Sequence, residues 1–223
     1  MINETLSLST IGTKPLKKPK LRGYFHREGF FGFLGAFVVM TAQSTDLKHF
    51  IASIAFSLGM LILFGISATY HVPHWTPEKR AFLRRLDHAA IFGAIWGGFV
   101  PFCLLALPEN RGYPLLEIVS VIAVVGILQS LFWVKAPKWF MTAFSLGMAW
   151  SVLPYIGEIG NSIGQRNVSL MAIGGGVYTF GALCYALKRP RLKPTHFGYH
   201  ELFHVCTLFG SACFFFVIYQ MIH

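Results

Sequence analysis

FIASIAFSLGMLILFGISATYHV, residues 50–72, contains no Lys, Arg, Asp or Glu across 23 positions. A helix of this length rises about 35 Å at about 1.5 Å per residue, enough to cross a hydrocarbon layer about 30 Å thick. No barrel-type alternation breaks the run, so a strand is excluded. It ends on polar groups, Ser67-Ala-Thr-Tyr-His71, where a purely structural span has no need of them. The same stretch therefore sets the fold class and supplies the first candidate functional residues.

Outward from it the pattern recurs. Gly29–Thr45 gives 17 uncharged residues and His88–Pro108 a second long run. Between Glu117 and Lys135 lie 17 more, between Lys138 and Glu158 19, between Arg166 and Lys188 21, and Leu202–His223 gives 22. The expectation is an all-α bundle of seven transmembrane helices over residues 28–223, preceded by a basic N-terminal tail, residues 1–27. Composition agrees: 54% hydrophobic and 13% charged, with mean hydropathy +0.56, is not that of a water-soluble domain. Twenty-two Phe and 22 Gly fit helices packed in lipid.

A net charge of +10 would suggest nucleic acid in a soluble protein. Here it reads as topology. Sixteen of the 19 Lys and Arg residues fall in alternate gaps: Lys14, Lys17, Lys18, Lys20, Arg22 and Arg27; Lys79, Arg80, Arg84 and Arg85; Lys135 and Lys138; Lys188, Arg189, Arg191 and Lys193. The remaining gaps hold only Lys48, Arg111 and Arg166. Positive charge stays on the cytoplasmic side, so the N-terminus is expected inside and the C-terminus outside a plasma membrane crossed several times. Membrane lipids, not nucleic acid, are the expected partners. Residues 1–22 have no apolar core ahead of a small-residue cleavage site, so no removable signal peptide is expected. Cys103, Cys184, Cys206 and Cys213 lie in apolar runs without a CxxC pair and read as buried thiols. Gly174-Gly-Gly176 permits close helix contact, within or between chains.

With that topology, ionisable groups gather at one depth. His71 closes the second span, Asp87 opens the third in Arg85-Leu-Asp87-His88, and His200 and His204 open the seventh. Such groups are expensive in lipid and mark function. Residues four apart share a helix face, so His200 and His204 can grip one ion, and Ser67 and His71 point one way. Three neutral imidazoles suit Zn²⁺ at about 2.0–2.1 Å and leave a fourth position for water. His26, His74, His88 and His196 belong to the same side, and spacing excludes none of them as a ligand; His49 and His223 lie opposite. Asp87 can accept a proton from a metal-activated water or fix a histidine tautomer, and can equally pair with Arg84 or Arg85. Ser67 suits an orienting hydrogen bond, since no G-x-S-x-G elbow surrounds it.

Ser67-x-x-Tyr70-His71, Asp87-His88 after a basic loop, and His200-x-x-x-His204 in the last span resemble the hemolysin III branch of the progestin and adipoQ receptor family, from about residue 30 to the C-terminus. The resemblance implies zinc on His71, His200 and His204, with Ser67 and Asp87 beside a zinc-bound water. It also implies, through kinship with alkaline ceramidases, hydrolysis of a lipid amide or ester, and an association with membrane homeostasis and haemolysis. Where bacterial members often carry a further histidine beyond the last ligand, this chain has Phe214. The competing expectation is a receptor or sensor of bilayer state in which zinc is structural. A transporter would need polar residues continuing through the bilayer.

Overall fold

The computed structural model describes residues 19–133, 135–191 and 195–223. Lys14, Lys17, Lys18 and Lys193 lie outside the described residues, as does most of the 1–27 tail. Among the described residues the chain is helical, with no strand: α1 (Tyr24–Ala42), α2 (Leu47–His71), α3 (Pro77–Pro101), α4 (Glu109–Phe132), α5 (Lys138–Trp150), α6 (Ile156–Ile163), α7 (Gln165–Leu187) and α8 (Tyr199–Ile222). Six helical stretches are long and apolar enough to cross a membrane. They are α2, α3 with its extension to Ala106, α4, the α5–α6 pair over Lys138–Ile163, α7 and α8. The seventh expected span is α1, which is long enough but carries Arg27 and Glu28 near its start.

Local chemistry explains the boundaries. Asp46 caps α2 by accepting the His49 amide at 3.0 Å, and that bond holds the exposed carboxyl below its ordinary pKa. Thr76 caps α3, with Pro77 in the first turn, where its missing N–H costs nothing. Pro101 near the other end cannot continue the regular ladder, and the chain passes into a π turn over Phe102–Ala106. The fifth span is likewise broken, by a 3₁₀ turn at Leu153-Pro154-Tyr155.

α3 is the most interior span and the α5–α6 span the least, with 61% against 17% of the spanning window buried. α1 and α3 flank α2, while α8 lies on α7 and also meets α1, α2 and α3. Buried phenylalanines, Phe37, Phe56, Phe64 and Phe92, fill the centre. Hydrogen bonds between helices add to the packing: Trp96 Nε1 to Ser120 Oγ at 2.8 Å, Trp150 Nε1 to Thr179 Oγ1 at 3.0 Å, and Tyr178 Oη with Ser211 Oγ at 2.6 Å. Gly174 meets α8 of the same chain, where an added Cβ would stand 3.0 Å from Cys213 Cβ; Gly176 has open space.

α2 and α3 approach most closely at Gly97, where a Cβ would fall 2.5 Å from the Ala55 carbonyl oxygen. Backbone cannot yield there as a side chain can. Gly97→Ala is expected to destabilise the bundle by about 1–3 kcal/mol, read as a lower thermal midpoint in detergent; an unchanged midpoint contradicts this packing.

Candidate metal centre

The C-terminal end of α2, the first turns of α3 and the N-terminal turn of α8 meet at the basic end of the bundle. There His71, His200 and His204 each offer a ring nitrogen, and these atoms lie within 4.8 Å of one another. His71 Nε2 and His200 Nε2 are 3.1 Å apart. All three residues are buried, His71 and His204 almost completely. His200 and His204 share a face of α8 because they are one helical turn apart, as the spacing predicts.

His71 Nε2 also faces Asp87 Oδ2 at 3.7 Å, longer than a hydrogen bond but close enough for strong electrostatic coupling. The Asp87 carboxyl also interacts with the Ser67 hydroxyl, which is buried. Ser67, Asp87, His200 and His204 all line one cavity of about 290 Å³ that runs inward among α3, α5, α7 and α8. Its remaining wall is chiefly apolar: Phe92, Phe99, Met141 and Met171 contribute, and Phe214 stands there as well. Lys138 borders this cavity with its Nζ 4.0 Å from the Tyr185 ring centre and 5.4 Å from that of Tyr199.

The other histidines separate. His74 and His196 are exposed, His196 beside Thr195 Oγ1 at 2.8 Å. His88 lines the cavity but is not in the cluster. His49 and His223 lie at the opposite end, beside Asp46 and Gln43 respectively. The cysteines are unpaired and take no part.

Three features of the surroundings escape a reading by spacing. His26 of α1 is buried and lies flat on His204, with ring centres 3.8 Å apart and planes inclined by 10°. The contact is a ring stack, and neither His26 nitrogen has a hydrogen-bond partner among the described residues. Gly23, at φ +86°, turns the chain directly over His71, where a Cβ would fall 2.5 Å from His71 Cβ. Just before it, the Lys20 and Leu21 amides donate to the Thr195 and His196 carbonyls, so the end of the tail is fixed as a cover. Third, His200-Glu-Leu-Phe-His204 matches the H-E-x-x-H pattern whose glutamate is a general base in metalloproteases. The fold denies Glu201 that use: fully buried, its carboxylate accepts from Arg22 Nε and from the Gly198 amide at α8's start.

Removing one partner of a buried pair strands the other's charge. Arg22→Ala is therefore expected to cost about 3–5 kcal/mol of stability, measured by thermal or denaturant unfolding in detergent. A loss below 1 kcal/mol would show that the pair does not hold the cover, because even exposed pairs reach about that value.

Residues 15–215 match the family described as haemolysin-III related. The chain is 30% identical over 187 residues to the hemolysin-3 homolog of Bacillus subtilis, covering 83% of each chain. It is 27% identical over 181 residues to hemolysin-3 of Bacillus cereus, covering 81% of this chain and 80% of that one. With six spans and this extent of similarity, the chain belongs to the haemolysin-III-related family and is a multi-pass membrane protein, as fits the bacterial plasma membrane.

Proposed function

We propose that this protein is a zinc-dependent hydrolase of membrane lipids, cleaving an amide or ester linkage at the basic end of the bundle. One observation carries the reading: two of the clustered imidazoles, the Asp87 carboxyl and the Ser67 hydroxyl share the wall of a single apolar cavity. The donor set fits the metal. Tetrahedral zinc with nitrogen ligands at 2.0–2.1 Å sets neighbouring nitrogens about 3.3 Å apart, and the His71 and His200 nitrogens stand at 3.1 Å. His204 Nδ1 is buried without a hydrogen-bond partner, so that ring has unspent ligand capacity. The cluster is three imidazoles, a donor type that suits zinc among the first-row ions.

Zinc held there supplies Lewis acidity, polarising a carbonyl and acidifying a water. The chain's own residues do the rest. Asp87 takes the proton of the attacking water and returns it to the departing amine or alcohol as the C–N or C–O bond breaks, leaving a carboxylic acid. Ser67 orients Asp87 from one side and His71 faces it from another. The apolar wall holds an acyl chain and keeps bulk water out. Lys138, steadied over two tyrosine rings, presents a cation to an anionic part of the lipid or to the product acid. With positive charge retained inside, this end faces the inner leaflet and the N-terminus is cytoplasmic.

The test supplies purified, zinc-loaded protein with ceramide-like and ester lipids and measures released fatty acid. Release dependent on zinc supports the hydrolase. A second reading, a lipid sensor with structural zinc, draws on the Arg22–Glu201 tie, which couples the tail to α8 beside the cluster. Zinc retained without release from any lipid favours the sensor.

A further inference from the structure

The proposed hydrolysis consumes one water per turnover, and water and lipid must reach the same metal. A second, smaller recess stands beside the large cavity. It lies between the first turns of α3 and the turn joining α4 to α5, at the basic end of the bundle, with exposed Trp133 in its wall. Its space, about 10 Å³, is close to what one water needs and too small for an acyl chain or a headgroup. Arg85 and Gln129 also line it. Arg85 Nε and both amide atoms of Gln129 are buried without a hydrogen-bond partner among the described residues. Leaving such groups unpaired costs about 1–3 kcal/mol each. A water answers them, accepting from an N–H and donating to Gln129 Oε1.

His88, Ala136 and Met141 line both this recess and the large cavity, so they form the partition between the two. Of the three, His88 alone carries ring nitrogens that donate and accept hydrogen bonds. It directly follows Asp87, whose carboxyl faces His71. We propose that water reaches the metal centre through the recess, handed across the partition by hydrogen bonds to His88, while the lipid occupies the large cavity. Size and polarity divide the two routes. A lipid seated in the large cavity covers its apolar wall, and the Gly23 turn covers His71 from the tail side. The recess stays open to water because no lipid fits it. His88 is here a positioning residue, holding a water for Asp87 and taking no part in bond making. That use of the water rests on the hydrolase reading, whereas the passage itself rests on the two cavities.

The test uses the zinc-loaded full chain with ceramide or monoacylglycerol for turnover and with an alkyl glycerol ether, which cannot be hydrolysed, for labelling. Gln129 lines the recess and not the large cavity, so Gln129→Leu alters the water route and leaves the lipid's wall intact. Gln129→Leu and His88→Phe are each expected to lower kcat about tenfold, near the worth of one hydrogen bond to the attacking water. KM, zinc content and thermal midpoint are expected to stay unchanged. His88→Gln, which keeps a hydrogen-bonding group, is expected to recover most of the rate. Met141 is buried on the partition, and with the ether bound its radiolytic hydroxyl labelling is expected to fall several-fold in Gln129→Leu. If the unmodified protein releases no fatty acid, the hydrolase reading fails while Met141 labelling still decides the passage. Unchanged kcat in Gln129→Leu with Met141 labelling retained overturns the passage, and a rate that His88→Gln fails to recover overturns the part given to His88.

Discussion

Asp87→Asn is expected to lower lipid turnover by about 10²–10⁴-fold, the range for losing a positioned general acid–base group, while zinc stays bound. Asparagine has the same shape and keeps a polar side chain facing Ser67, but it cannot take up a proton. The carboxyl lies 3.7 Å from His71 Nε2 and outside the imidazole cluster, so its loss removes no nitrogen ligand. Fatty-acid release and zinc content measured on one preparation separate the outcomes. Zinc lost together with activity would make Asp87 a ligand. Activity retained would move the proton to another group, with His88 next on the same wall. Ser67→Ala removes only an orienting hydroxyl and is expected to have a smaller effect, about tenfold, near the value of one hydrogen bond.

The second large effect concerns the metal. His200→Ala/His204→Ala is expected to reduce bound zinc from about one per chain to below one-tenth of that, since two of the three proposed ligands are lost and metal affinity depends on the full set. The substitutions sit at the N-terminal end of α8, whereas Val217, Ile218 and Ile222 bury its other end, so the helix remains docked. His196→Ala, at an exposed ring outside the cluster, is expected to leave zinc unchanged. Metal analysis of the three proteins by mass spectrometry checks both statements, and equal zinc in all three would dismantle the centre.

The spans are legible in the sequence because lipid imposes a simple rule: a crossing helix satisfies its backbone internally and carries few charges. Counting uncharged residues finds the six spans and, as a seventh, α1, but places several starts late. α3 begins at Pro77 rather than His88, since Glu78, Lys79, Arg80 and Arg84 continue the helix into the polar boundary with exposed side chains. α1 begins at Tyr24 rather than Gly29 because Arg27 and Glu28 pair with each other at 2.6 Å on an exposed face. The π turn after Pro101 and the break at Pro154 depend on packing and leave no clear periodic signal. At the site, the four-residue spacing places His200 and His204 together, and matching depth adds His71, Asp87 and Ser67. His26 and Glu201 acquire their positions only when the tail docks on α8, which spacing along one helix cannot express. Glu201 is the sharper case, since its motif suggests a base and its ion pair with Arg22 gives it a structural task.

X-ray absorption at the zinc edge of the purified protein reads the ligand set itself. Nitrogen scatterers are expected at about 2.0–2.1 Å, with the outer-shell signature of three imidazoles and one further light atom. Sulfur at about 2.3 Å, which would bring in Cys103, Cys184, Cys206 or Cys213, or zinc held by fewer than two imidazoles, would contradict it.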